Sequence, residues 1–196
     1  MTKTLDRETA VKEAGRCLYC NDICNVCVTV CPNRANVSYF NNGIKYDMQK
    51  IVSNNGNVEI VEDGVFVVDQ KIQVMNIADF CNECGNCWTF CPTNGAPYKD
   101  KPRLCLTEES FMSEERAYYI FENKINFKNA NKFESLTLEN KNYIYETEEV
   151  FVKFDISNFM IKDVEVKSDS FEEVKLEHAA QMSVLLSNLK EFYLFN

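Results

Sequence analysis

The sequence has little of what common enzyme and nucleic-acid-binding classes require. Its single histidine, His178, falls on the predicted C-terminal helix, where a surface or core role is expected rather than a catalytic one, and no stretch resembles the G-x-G-x-x-G loop that binds NAD(P) or FAD. Its lysines and arginines form no cluster that could neutralise phosphates, which argues against a nucleic acid partner. We therefore expect a chain that carries no catalytic residues of its own.

Long apolar runs are also missing. No run approaches the length of a membrane span, and the first residues lack the apolar core of a signal peptide. These absences predict a cytoplasmic protein with no direct membrane insertion. The net charge of −9 is unevenly spread, with 11 basic and 12 acidic residues over 1–105 but 10 basic and 18 acidic residues over 106–196.

Cysteine, by contrast, is abundant. Such a density without an export signal points to metal binding rather than to disulfides, which persist in oxidising compartments. Of the ten cysteines, Cys105 is isolated and is expected to be a small buried hydrophobe. The other nine form two short groups: Cys17, Cys20, Cys24, Cys27 and Cys31, then Cys81, Cys84, Cys87 and Cys91.

The second group has the spacing Cys-x2-Cys-x2-Cys-x3-Cys-Pro, which is the run that bacterial ferredoxins use to bind [4Fe–4S] clusters. Three thiolates at equal intervals surround one cluster, and the fourth binds the other cluster in two-cluster proteins. Zinc sites prefer two separated Cys-x2-Cys pairs, which does not match this run. The predicted ligands of this cluster, with one from the first group by crossover, are Cys81, Cys84, Cys87 and Cys31.

The first group has an irregular step that leaves two ligand sets open. Counting back from Cys31, two cysteines fall at regular positions, but Asn21 occupies the next position and Cys20 comes one residue early. The favoured set needs only a one-residue bulge, leaves Cys17 free and consists of Cys20, Cys24, Cys27 and, by crossover, Cys91. The alternative set encloses Cys24 in an enlarged loop and consists of Cys17, Cys20, Cys27 and Cys91.

The rest of the pattern predicts an α+β protein. A helix capped by Asp6 is expected over Leu5–Gly15, and Asn42-Gly43 and Asp63-Gly64 mark predicted β-hairpins. A capping box formed by Ser170 and Glu173 is expected at the start of a C-terminal helix. Five runs after Cys105 predict strands: Ala117–Phe121, Leu136–Leu138, Asn142–Tyr145, Val150–Phe154 and Met160–Val166.

We therefore expect two domains. Residues 1–105 would form a two-[4Fe–4S] ferredoxin-like domain with inserted β-hairpins, and residues 106–196 a small β-rich domain with a C-terminal helix. Trp88 and Phe90 lie between predicted ligands, where they are expected to shield a cluster from water.

Short sequence motifs around the cysteines resemble the C-terminal ferredoxin-like region of the family of putative selenate reductase iron–sulfur subunits, over about residues 16–103. They are Arg16-Cys17-Leu18-x-Cys20, Cys31-Pro32-Asn33-Arg34-Ala35-Asn36, Cys81-Asn82-Glu83-Cys84-Gly85-Asn86-Cys87 and Pro97-Tyr98-Lys99-Asp100-Lys101. The family also carries flavin- and NADPH-binding domains and is associated with molybdenum hydroxylases and purine breakdown. Those domains have no counterpart in this sequence, so the resemblance implies a separate redox subunit.

These observations predict an electron-transfer subunit with two [4Fe–4S] clusters. It would relay single electrons within an oxidoreductase complex of the selenate reductase or purine hydroxylase type, with a larger flavoprotein or a molybdenum-containing subunit as partner. Two alternatives remain open at this point. The chain could be a free soluble 8Fe–8S ferredoxin, or its clusters could be purely structural in an interaction module.

Overall fold

The computed structural model describes residues 4–14, 24–54, 57–168 and 171–189, and it is a mixed α/β structure dominated by sheet. The helices are α1 Arg7–Ala14, α2 Val26–Thr29, α3 Asn86–Thr89, α4 Pro97–Asp100, α5 Glu108–Ser113 and α6 Glu177–Leu189, with a 3-10 turn at Ala78–Phe80. The strands are β1 Asn36–Phe40, β2 Ile44–Asn54, β3 Asn57–Val68, β4 Ile72–Ile77, β5 Arg103–Cys105, β6 Arg116–Phe121, β7 Lys124–Asn129, β8 Lys132–Glu139, β9 Asn142–Glu146, β10 Val150–Asp155, β11 Ile161–Val166 and β12 Glu173–Lys175.

A nine-stranded sheet runs through most of the molecule, in the order β1-β4-β5-β6-β7-β8-β9-β10-β11. From β6 to β11 each strand pairs antiparallel with the next along the chain. The short strand β5 pairs in parallel with both β4 and β6, so it joins the cysteine-rich part of the chain to this meander. The division into domains 1–105 and 106–196 and the ferredoxin-like class stay predictions.

Alternating burial explains why the meander forms. In β10, Val150, Val152 and Phe154 are buried while the residues between them are partly exposed, as a strand covered on one face requires. Four of the five strand-like runs identified in the sequence lie wholly in strands of this sheet, and the fifth, Met160–Val166, matches β11 from Ile161 onward. Tight turns connect the strands through residues with positive φ: Glu122, Ala130, Asn140 and Lys141.

A three-stranded sheet has the order β12-β2-β3. The chain passes from β2 to β3 at residues 55 and 56, which lie outside the described residues. Both predicted hairpin turns were wrong. Asn42-Gly43 connects β1 to β2, which belong to different sheets, and Asp63-Gly64 lies inside β3 opposite an irregularity in the β2 register between Asp47 and Gln49.

The C-terminal helix α6 closes the core and contacts strands of both sheets. Its apolar face is buried in the main hydrophobic cluster, as the spacing of Met182, Leu185 and Leu189 predicts. The predicted capping box was wrong, because the segment Glu173–Lys175 pairs with β2 as a strand and the helix begins at Glu177. Ser170 lies outside the described residues.

The predicted N-terminal helix is confirmed as α1, Arg7–Ala14. Its cap is also confirmed, because Thr9 N donates a hydrogen bond of 2.8 Å to Asp6 Oδ1. No helix in the described ranges is long and apolar enough to cross a membrane.

A polar network ties α6 to the large sheet. His178 Nδ1 lies 2.6 Å from Glu134 Oε2, and Tyr118 OH lies 2.8 Å from His178 Nε2. Tyr145 OH donates to the same Glu134 oxygen at 2.5 Å. Burial favours the neutral form of Glu134, but the hydrogen bonds from His178 and Tyr145 outweigh it and hold the pKa of this carboxyl below its ordinary value.

Candidate metal centre

Two cysteine-bearing segments follow the same backbone course. We call residues 24–35 the first cysteine loop and residues 84–95 the second cysteine loop. Each begins with a cysteine, continues through a residue with positive φ, Asn25 at 55° or Gly85 at 80°, and then enters a four-residue helix. Positive φ recurs near the end of each loop, at 55° for Arg34 and 56° for Asn94. The two loops are therefore a structural repeat.

Equivalent hydrogen bonds close a tight turn near the start of each loop. Val28 N donates to Asn25 O at 3.0 Å in the first loop, and Trp88 N donates to Gly85 O at 3.0 Å in the second. The turn is so tight that its first residue must adopt a left-handed conformation, which glycine and asparagine tolerate best. This local geometry fixes where each loop presents its cysteines.

Backbone amides point at the last cysteine of each loop. Ala35 N donates to Cys31 Sγ at 3.2 Å, and Gly95 N donates to Cys91 Sγ at 3.3 Å. Hydrogen bonds from Thr93, followed by that of Gly95, hold the pKa of the Cys91 thiol below its ordinary value. Such donors stabilise a thiolate, which is the form of cysteine that binds metals.

One small cavity brings cysteines of both loops together. Cys31 from the end of the first loop lines it together with three cysteines of the second group, although the two groups lie far apart in the sequence. The lining cysteines are Cys31, Cys81, Cys84 and Cys87, which is the set that the crossover rule assigns to one cluster.

The middle cysteines of the two loops lie close together in the fold. Cys27 and Cys87 are buried and share a small apolar cluster with Val74 of β4, against which Val28 and Tyr98 pack. Burial raises the pKa of the Cys27 thiol, and the nearby Cys24 and Cys87 side chains raise it further. These two cysteines are thus shielded from water.

The remaining predicted ligands are described only in part. Cys24 is exposed and Cys91 is partly exposed, while Cys17 and Cys20 lie outside the described residues. Lys101 acts electrostatically on both Cys27 and Cys91. Cys105 is fully buried in a separate apolar cluster, as the sequence predicted.

The donor set fits an iron–sulfur cluster. Cysteine sulfurs from two loops line one cavity, and backbone amides reach the sulfurs of Cys31 and Cys91. Within the described ranges, no three His, Cys, Asp or Glu side chains converge as ligands of a single ion would. A four-iron cluster is larger than one ion, so its ligands stand around a space instead of meeting at a point.

The aromatic residues of the second cysteine loop are on the surface. Trp88 is 57% exposed and Phe90 is 58% exposed, and Phe80, which precedes Cys81, is 49% exposed. The expectation that Trp88 and Phe90 shield a cluster from water stays a prediction. Val74 and Tyr98 pack against the buried Cys27 and Cys87 from within the fold.

Sequence reasoning missed a network of polar residues beside the cavity. Arg103 of β5 pairs with Glu114 and bonds to Asn76 of β4, which in turn bonds to Asn36 of β1. Asn36 ends the Pro-Asn-Arg-Ala-Asn word at residues 32–36, which is the one sequence signal that could have identified any of them. The carboxylate of Glu114 and the side chain of Cys81 outweigh the opposing effect of burial and raise the pKa of Arg103.

Comparison with known proteins gives a partial match. No family model matches the chain, and no solved structure matches it. Two curated relatives, each named "Putative oxidoreductase YgfK" and belonging to Escherichia coli strain K12 and Escherichia coli O157:H7, are 39% identical to this chain over 107 residues. The match covers 54% of this chain, and the chain spans 8% of the length of each relative.

Proposed function

We propose that this chain is an iron–sulfur electron-transfer component of an oxidoreductase and holds two [4Fe–4S] clusters. The observation that carries the proposal is the meeting of Cys31 with Cys81, Cys84 and Cys87 at one cavity. A fourth ligand contributed by the other motif is the arrangement expected of two-cluster ferredoxin runs. The oxidoreductase role rests on the names of the two E. coli relatives.

Two ligand sets follow from this arrangement. Cys31, Cys81, Cys84 and Cys87 would hold the second-loop cluster. The first-loop cluster would be held by Cys20, Cys24, Cys27 and Cys91. In the alternative set, Cys17 takes the place of Cys24. When bound, the clusters supply one-electron transfer.

The protein's own residues support such clusters in two ways. Ala35 N and Gly95 N donate hydrogen bonds to cysteine sulfurs, which stabilises thiolates and tunes cluster potentials. Val74 and Tyr98 pack around the buried Cys27 and Cys87 and exclude water from one side of both sites. Cys24 and Cys84 are exposed at the surface, where an electron could enter or leave.

We further propose that the chain works with a larger flavoprotein or a molybdenum-containing subunit. The chain spans only a small part of its relatives, and the resemblance of residues 16–103 is to a family with flavin-binding domains. The exposed Trp88, Phe90 and Phe80 beside the predicted ligands support a contact surface at the clusters, because aromatic residues are enriched in protein interfaces.

The cluster proposal is tested by iron and sulfide analysis after anaerobic reconstitution. The unmodified chain should bind about eight irons and eight sulfides, and Cys31→Ser about half as many, because one cluster loses a ligand. Cys105→Ser is the matched control, since Cys105 is a buried cysteine in another apolar cluster, and it should retain the full content. Full iron in Cys31→Ser, or a colourless zinc-containing protein, would defeat the proposal.

The partner proposal is tested by size-exclusion chromatography of material purified anaerobically from its native host at high salt. Elution in a larger complex that contains flavin or molybdenum would support it. A single peak at the 22.7 kDa of the chain alone, with both clusters present, would instead favour a free ferredoxin.

A further inference from the structure

Arg103 presents a positive charge to a predicted cluster ligand. Its guanidinium bonds to Asn76 and lies 3.5 Å from Glu83, and both of these residues line the same cavity as Cys81. Only 12% of the Arg103 side chain is exposed to solvent. Hydrogen bonds between charged groups are stronger than neutral ones, and the Coulombic effect of a charge increases where water is excluded.

Residues from three segments fix the orientation of this guanidinium. Glu114 accepts two hydrogen bonds, from Nε at 2.9 Å and from Nη2 at 2.8 Å. Asn76 Oδ1 accepts from Nη1 at 3.0 Å, and Glu83 Oε1 lies 3.5 Å from Nη2. Because a two-point carboxylate contact holds one side and an amide holds another, the guanidinium has little freedom to turn away from Cys81.

The hydrogen bonds continue from Asn76 into the first cysteine loop. Asn76 Nδ2 donates to Asn36 Oδ1 at 2.9 Å, and Asn36 Nδ2 donates to the backbone carbonyl of Cys27 at 3.0 Å. The two amide side chains are buried, with Asn76 fully inaccessible to solvent. Each amide accepts one hydrogen bond at its oxygen and donates another from its nitrogen. This chain of hydrogen bonds connects Arg103 to the backbone of the first cysteine loop.

The cation near the first cysteine loop acts differently. Lys101 interacts with Cys27 and Cys91 through its charge, whereas Glu114 and Asn76 hold the Arg103 guanidinium in a fixed orientation by hydrogen bonds. Water and salt weaken such a charge effect at a partly exposed site. The two predicted clusters therefore have unequal electrostatic surroundings.

We propose, on the basis of the function proposed above, that Arg103 is a positioning residue that raises the reduction potential of the cluster held by Cys31, Cys81, Cys84 and Cys87. Reduction adds one electron to a cluster, and with it one negative charge, without making or breaking a bond. A cation held beside a cluster stabilises the added charge, and the net charge around a cluster helps to set its potential. An electron in the protein would then rest preferentially on the second-loop cluster.

The test is a pair of variants that remove opposite ends of one ion pair. Arg103→Gln removes the cation, and Glu114→Gln removes the carboxylate that partly neutralises it. Redox titration of the reconstituted full chain, followed by electron paramagnetic resonance, measures the potential of each cluster. Arg103→Lys retains the charge without the two-point geometry and serves as the conservative variant.

We expect the two glutamine variants to shift the second-loop cluster in opposite directions. Its potential should fall in Arg103→Gln and rise in Glu114→Gln, and Arg103→Lys should lie between Arg103→Gln and the unmodified chain. A tenfold change in the reduced-to-oxidised ratio corresponds to about 59 mV for a one-electron couple. The first-loop cluster should change less in every variant.

A purely structural ion pair would give a different result. Both glutamine variants would then lose the same contact and shift potential, iron content or stability alike, which would overturn the inference while leaving the proposed function intact. If Arg103→Gln fails to retain the cluster, Glu114→Gln decides alone, and an unchanged or lower potential overturns the inference. Absence of clusters from the unmodified chain would overturn the proposed function as well.

Discussion

The two cysteine loops have the same backbone in different surroundings. Each has a left-handed residue before a four-residue helix and an amide directed at its last sulfur, so these features follow from the local sequence. The surroundings come from elsewhere in the chain. Arg103 reaches the second group from β5, whereas Asn36 binds the first loop from β1. Local sequence thus fixes the backbone position of the cysteines, and tertiary packing determines which charged and polar residues surround each site.

Exchange of ligands between the loops gives the largest expected effect. Cys91→Ser should remove about half of the iron, as Cys31→Ser does, but from the opposite cluster. The cluster that remains in Cys91→Ser should be the one that is lost in Cys31→Ser. The electron paramagnetic resonance spectra of the two variants should therefore differ. Identical residual spectra in the two variants would show that the ligands do not cross over.

Removal of Asn76 should break the connection between the loops. Asn76→Ala leaves Arg103 and Asn36 each without a buried hydrogen-bond partner, and each unsatisfied buried group costs about 1–3 kcal/mol. The free energy of unfolding in urea under anaerobic conditions measures the loss. Asn129→Ala, at an exposed position of β7, is the matched control and should change stability by less than about 0.5 kcal/mol. Equal effects of the two variants would argue against the connection.

Glu134 lies in β8 outside both cysteine loops, so its replacement tests stability away from the proposed cluster sites. Glu134→Gln should lower stability near neutral pH by about 1–3 kcal/mol, since His178 and Tyr145 lose a charged acceptor. The pKa of Glu134 is lowered on folding, so its contribution is present above the ordinary value of 4.5 and is lost as pH falls through the lower folded pKa.

Unfolding midpoints at several pH values test this dependence. The difference between the unmodified chain and Glu134→Gln should narrow below about pH 4.5. Iron content should stay the same in both proteins. A gap in stability that does not change with pH would contradict the role given to the carboxylate, and a loss of iron would show that the meander and the loops are coupled.

The smallest effects should come from the left-handed residues at which the loops differ. Gly85→Ala should cost about 1–2 kcal/mol from backbone strain alone, since no atom lies within 4 Å of an added Cβ. Asn25→Gly should be neutral or slightly stabilising, because Asn25 Oδ1 is buried without a hydrogen-bond partner among the described residues. Thermal midpoints measure both changes, and a stabilising Gly85→Ala would contradict the repeat.

Local patterns predicted much of this molecule. The helix at Arg7–Ala14 and the strands of the meander followed from capping and alternation, which depend on near neighbours in the sequence. Strand β7 was missed because it offers only two buried apolar positions, Ile125 and Phe127, in a polar run. The cysteine spacing identified the candidate ligands, and the structure brings Cys31 to the cavity of the second group.

Features that depend on distant partners were not predictable. The segment Glu173–Lys175 has a helix-start pattern but finds a partner strand in β2, and Gly43 follows a strand that pairs with β4 instead of with its neighbour. Arg103 and Asn76 gain their roles only when β4 and β5 lie side by side. Single polar residues carry no periodicity, so sequence patterns gave no reason to select them.

Trp88 is the only tryptophan of the chain, and it is surface-exposed one residue after the predicted ligand Cys87. All of the tryptophan fluorescence of the protein therefore arises beside the site proposed for the second-loop cluster. Iron–sulfur clusters absorb broadly across the visible and near-ultraviolet range, so a bound cluster would quench this emission by energy transfer. Fluorescence of the unlabelled chain would thus report assembly or loss of that cluster in real time.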